Sequence, residues 1–210
     1  MEVFTLNYNI QLIKNDNFTP TYWSGGMASE LITFPENSSF AERNFLWRMG
    51  CAKIDIDTSN FSTLPGVKRH LMVTDGEVTL IHKDKYSKTI KPFDQDFFIG
   101  DWNTTTKGRC SVLNLMTREN YDGKLDHINI PSNSQTDFQY VLQENSTIVS
   151  VCIHPLNSDI NSIINDEIFT LSKGELLCVN ITDSKMLPDI KLINNNSINS
   201  DIAVSIIYSN

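Results

Sequence analysis

At 210 residues, with 40% hydrophobic and 20% charged side chains, the chain has an ordinary globular composition and the length for one large or two small cores. Its formal charge of −8 at pH 7 opposes a polyanionic partner, which excludes nucleic acid as the ligand class. No apolar run approaches the roughly 20 residues of a membrane-spanning helix, so no membrane partner is expected.

The first residues, MEVFTLNYNIQLIKND, lack the basic start, apolar middle and small-residue cleavage site of a signal peptide, and the expected compartment is the cytoplasm. From there on, short runs rich in Ile, Val, Phe, Leu and Thr recur between Gly, Pro, Asn and Asp, and long helical patterns do not. The runs predict strands at 3–13, 28–34, 45–56, 68–74, 77–83, 110–117, 138–142, 147–153, 166–171, 175–181 and 202–208. FAERNFL (40–46) reads as a helical turn and NNNSINS (194–200) as a surface loop. The series predicts an all-β chain of two small antiparallel barrels. ENYDGKLDHINIPSNSQT (119–136) is polar and turn-rich, and it divides the chain into 1–120 and 121–210. Cys51, Cys110, Cys152 and Cys178 show no paired spacing, so buried thiols are expected rather than a zinc site or disulfides.

Asp75-Gly76 lies between two alternating runs and predicts a two-residue hairpin, with 74 opposite 77, 71 opposite 80 and 69 opposite 82. Opposed residues share a face. One face is then Arg69, Leu71, Val73, Val78, Leu80 and His82; it is the more apolar and should face the core, leaving His70 outside. The same parity in FLWRMGCAKIDI places Leu46, Arg48, Gly50, Ala52, Ile54 and Ile56 on one inward face. Two inward arginines demand a counter-anion, because an unpaired buried charge costs several kcal/mol. Glu30 is the nearest candidate in sequence.

YWSGGMASELITFP, LWRMGCAKIDID, FSTLPGVKRHLMVTDG, FFIGDW and SVLNLMTRE together resemble the HutD/Ves family, over roughly residues 20–120. The resemblance implies a cytoplasmic double cupin, more a metabolite binder and regulator than an enzyme, tied in some members to histidine utilisation. Its suspected ligands there are acidic intermediates such as formylglutamate or urocanate. Matching positions include Trp23, Gly25, Gly26, Glu30, Trp47, Arg48, Phe61, Ser62, Pro65, Gly66, Arg69, Gly100, Asp101, Asn114, Met116 and Arg118. Val112, Gly50 and Met27 depart from the family pattern, which usually has Asp, Ser, and Thr or Gly there.

Many cupins hold a metal through clustered histidines, but His70, His82, His127 and His154 are widely spaced, so neither a metal nor another cofactor is expected. The guanidinium fork matches a carboxylate, which makes Arg69 and Arg48 candidate clamps for a small carboxylate metabolite. Glu30, Ser62, Phe61, Asn114, Trp23 and His82 complete the candidate site. By alternation Asn114 should point into the first barrel and Arg118 toward its rim. Two rival readings stay open. One is a metal-free isomerase or lyase using Glu30, Asp101 or His82 for acid–base work. The other is an interaction module whose arginines are paired internally. A homodimer is also left open.

Overall fold

The computed structural model describes residues 7–210, which contain nineteen strands and one 3₁₀ turn at Asn15–Asn17. In chain order the strands begin Tyr8–Ile13 (β1), Pro20–Trp23 (β2), Gly26–Phe34 (β3), Trp47–Ile54 (β4), Thr58–Asn60 (β5) and Val67–Gly76 (β6). Val78–His82 (β7), Tyr86–Ile90 (β8), Gln95–Ile99 (β9), Thr104–Lys107 (β10) and Cys110–Arg118 (β11) follow. The remainder are Tyr121–Ile130 (β12), Ser134–Asp137 (β13), Thr147–Pro155 (β14), Ile160–Ile164 (β15), Glu167–Leu171 (β16), Leu176–Ile181 (β17), Ile190–Asn194 (β18) and Ser200–Ser209 (β19).

They form two compact units. Phe18–Lys124 holds a six-stranded sheet in the order β2-β3-β4-β11-β6-β9 and a four-stranded sheet β5-β10-β7-β8. The residues up to Asn17 with Leu125–Asn210 hold a five-stranded sheet β1-β17-β14-β19-β12 and a four-stranded sheet β13-β18-β15-β16. In each unit the alternating apolar residues of both sheets meet in one core, as in a sandwich. Leu71, Val73 and Val112 from the larger sheet meet Val78, Leu80 and Ile90 from the smaller in the first unit. Val151, Ile153, Leu177 and Val204 meet Ile160, Ile164, Leu171 and Leu192 in the second.

Three expectations are corrected. The division at 120/121 fails because β1 pairs along its whole length with β17, placing the N-terminal strand in the C-terminal unit. The expected linker 119–136 is mostly β12 and β13; its polar look reflects a half-exposed strand in which Gly123 and Leu125 alternate inward and Ile130 is buried at the end. Residues 138–142, expected as a strand, are irregular, although Phe138 is buried. The run 3–13 is a strand over Tyr8–Ile13, its first residues lying outside those described.

The Asp75-Gly76 hairpin is a further correction. β6 is hydrogen-bonded to β11 and β9, whereas β7 is bonded to β10 and β8, so the dipeptide carries the chain from one sheet to the other. Only Gly76 has a positive φ, 77°, so the type I′ turn, which needs two, does not form. A Cβ at Gly76 would also collide with the Arg109 carbonyl. The face assignment nevertheless holds: Arg69, Leu71, Val73, Val78, Leu80 and His82 are all buried. Alternation fixes which side of a strand is apolar, and in a sandwich both sheets turn that side toward the same core. The helical turn at 40–46 is a non-helical turn over residues 40–43, and the 194–200 loop is bounded by fully buried Asn194 and Ser200.

Candidate functional site

In the first unit β4, β11 and β6 lie side by side, and Met116 of β11 is the cross-strand partner of both Arg48 and Arg69. The two arginines therefore leave the same face of the sheet, with Met116 between them. That face also carries Leu71, Val73, Val112 and Asn114, so both guanidinium groups enter the barrel from strands whose other inward residues are apolar. Gly50 makes room for one of them, since a Cβ there would collide with the Arg48 Nη2. Arg48 and Arg69 are 7% and 6% exposed.

Their electrostatics differ. The Arg48 Nε lies 3.3 Å from the Glu30 Oε2, an ion contact rather than an aligned hydrogen bond, and the same oxygen accepts the Phe40 N–H at 2.9 Å. Arg48 also packs over the Phe40 ring at 4.7 Å and donates to the Met116 sulfur at 3.7 Å. Burial pulls its pKa down and the Glu30 charge pulls it back up.

Among the described residues Arg69 has no carboxylate partner. Its Nη2 donates to the Asn114 Oδ1 at 3.2 Å, and its buried Nε has no acceptor. Phe61 and Phe98 contact it at 4.6 and 5.0 Å from their ring centroids, two cation–π contacts from rings that pack against each other. Burial first and the Arg48 charge second lower its pKa to about 9. A guanidinium presents five N–H donors. A buried one offered a single neutral acceptor is electrostatically short of an anion.

The other expected site residues are placed as follows. Glu30, Asn114 and Phe61 join the arginines. Ser62 is exposed on the loop before β6. Trp23 is 39% exposed on the edge strand β2. Asp101 accepts the Gly66 N–H at 2.9 Å and so braces a turn. Arg118 is at the rim, donating to the Arg43 carbonyl at 2.8 Å. His82 has both nitrogens engaged, Nδ1 with the Thr104 hydroxyl at 2.8 Å and Nε2 with Asp96 at 2.9 Å. Asp96 also accepts from Tyr86 at 3.2 Å and Lys88 at 3.3 Å. The Phe98 ring packs against His82 on one side and Arg69 on the other.

Sequence reasoning missed Phe40, Asp96 and Phe98. Strand β9 was not expected, although QDFFI alternates and would have put Asp96 and Phe98 on one face. Phe40 gave no such signal, since it belongs to an irregular loop. Among the described residues no three His, Cys, Asp or Glu side chains form a group that could hold a metal. His82, whose ring shares Phe98 with Arg69, has both ring nitrogens engaged, so the donor set does not fit the metal that many cupins carry.

Comparison with known proteins extends these findings. The HutD family model matches residues 15–192. A conserved protein of unknown function from Pseudomonas aeruginosa PAO1 superposes with a TM-score of 0.80 at 14% identity, over 95% of this chain and 98% of that one. HutD from Pseudomonas fluorescens SBW25, in a formate condition, superposes with a TM-score of 0.74 at 17% identity, over 96% and 100%. The oxalate decarboxylase of Lactobacillus farciminis, a formate complex, gives 0.66 at 7% identity, over 100% and 88%. The fold is a double cupin, as expected from the sequence.

Proposed function

The chain belongs to the HutD family, and from that premise we propose that its first barrel binds a small organic carboxylate, in the cytoplasm and in the service of histidine utilisation. One observation carries the reading: among the described residues Arg69 is a buried cation with no carboxylate partner, while its neighbour Arg48 has Glu30. The ligand carboxylate takes the free donors of Arg69. Asn114 fixes the guanidinium plane, and the Phe61 and Phe98 rings exclude water from it. Charged hydrogen bonds of about 1.5–3 kcal/mol each, less the cost of association, correspond to affinity in roughly the millimolar to micromolar range.

The arrangement favours binding over catalysis. General acid–base work requires a titratable group with a free position beside the substrate. Glu30 is committed to Arg48 and the Phe40 N–H, and His82 to Thr104 and Asp96. The test is calorimetry and thermal shift with formate, acetate, urocanate and formylglutamate against chloride. At least one carboxylate should stabilise the protein, and Arg69→Met should abolish that response while keeping the fold. A response that survives Arg69→Met, or none to any carboxylate, would overturn the reading.

A further inference from the structure

The four-stranded sheets of the two units have the same strand plan, β5-β10-β7-β8 in one and β13-β18-β15-β16 in the other, but their outward faces differ. In the first unit the outward positions of β7, β8 and β10 are Thr79, Ile81, Ser87, Thr89, Thr105 and Lys107, an ordinary wet surface. In the second, one cross-strand row reads Asp137, Lys191, Ile163, Ile168, and Ile193 lies in the next row. Ile168 is 68% exposed on the outermost strand. Ile163 and Ile168 of that row line a groove of about 900 Å³ together with Tyr140, Leu142 and Leu187. This volume lies within the 300–1,000 Å³ typical of small-molecule sites.

The groove has a charge preference. Lys191 is engaged with Asp137 at 3.8 Å. Asp166 and Asp189, also on the lining, have no ion-pair or side-chain hydrogen-bond partner among the described residues. Asp189 is held by its backbone: its N–H donates to the Asn165 Oδ1 at 2.9 Å and its carbonyl accepts the Asn165 N–H at 2.8 Å. Its carboxylate makes no ion pair or side-chain hydrogen bond among the described residues, and its charge acts on the Tyr140 hydroxyl on the same lining. A second copy of this chain, at −8, is poorly matched to such a face, as is any anion.

We propose that this groove is a second ligand site, distinct from the arginine site, that takes a small organic cation with an apolar body, an aryl- or alkylammonium. The apolar body lies on Ile163, Ile168 and Leu187. The ammonium faces Asp166 and Asp189.

The test is a methyl-NMR titration of the whole chain with 2-phenylethylammonium, using 2-phenylethanol and 3-phenylpropanoate as neutral and anionic controls. The ammonium should produce saturable shifts of the Ile163 and Ile168 methyls. It should bind at least fivefold more tightly than either control, and at least fivefold more weakly in Asp166→Asn/Asp189→Asn. Arg69→Met should leave this titration unchanged, which separates it from the carboxylate reading. Equal binding of all three probes, or no shift at these methyls, would overturn it. So would shifts that appear on raising the protein concentration alone, because a second copy would then cover the face.

Discussion

Inside the second unit Val151, Ile153, Leu177, Val179, Val204 and Ile206 pack against Ile160, Ile164, Leu171 and Leu192, and the space between the sheets is mostly hydrocarbon, with the Ser162 hydroxyl among it. Inside the first, Leu71, Val73, Val78 and Leu80 give way on the same strands to Arg69 and His82, with Arg48, Asp96 and Asn114 beside them. Each fully buried aliphatic side chain of the second unit contributes about 1.5–3 kcal/mol. Each buried charge of the first must be offset by a partner. Related frames thus hold a mostly apolar interior in one unit and a more polar one in the other. The polar one is incompletely neutralised at a single position, Arg69.

Four substitutions and a pH series can break or sharpen that contrast. The largest effect should come from putting the charge in the mostly apolar barrel: Val179→Arg should cost at least about 4 kcal/mol, or prevent folding, as read by urea unfolding. Within the polar barrel, Arg48→Met should cost about 1–3 kcal/mol because Glu30 loses its partner; Glu30 is a third exposed, which softens the penalty. Adding Glu30→Gln to that variant should recover part of the loss.

The pH series reads Arg69. Its folded pKa of about 9 lies well below the ordinary guanidinium value of the unfolded chain. The folded state therefore sheds this proton first, and the group costs stability below about pH 9, a cost relieved as pH rises above about 9. Carboxylate binding needs the proton, so affinity should fall about tenfold between pH 8 and pH 10, which calorimetry would show. Flat affinity across that range would place the anion elsewhere.

Arg69→Met removes the unneutralised cation and replaces it with an apolar chain of similar length. It should leave stability unchanged or raise it by up to about 2 kcal/mol, while the carboxylate response disappears. Loss of stability would mean that the cation is already satisfied. The smallest effect belongs to Ser62→Ala, within about 0.5 kcal/mol by the same assay and with carboxylate binding intact, because this side chain is exposed.

The inward arginines were legible from alternation alone, since Arg69 sits in phase with Leu71 and Val73, and Arg48 in phase with Gly50 and Ala52. Local periodicity records which face of a strand is buried. It does not record the strand across from it, and the Asp75-Gly76 corner shows the consequence: correct faces derived from a pairing that does not exist. Polar strands such as β12 and short ones such as β5 and β10 were invisible for a related reason, their pairing being supplied by neighbours rather than by their own apolar content.

The sequence by itself determined the all-β class, the family and the inward face that carries both guanidinium groups, because these follow from residue-by-residue alternation and from motifs. Only the tertiary structure decided that Glu30 neutralises Arg48 and leaves Arg69 without a carboxylate partner among the described residues, that Asp96 closes off His82, and that the first strand belongs to the second unit. Those outcomes depend on which strands become neighbours, a long-range choice made by the whole chain as it buries its apolar surface.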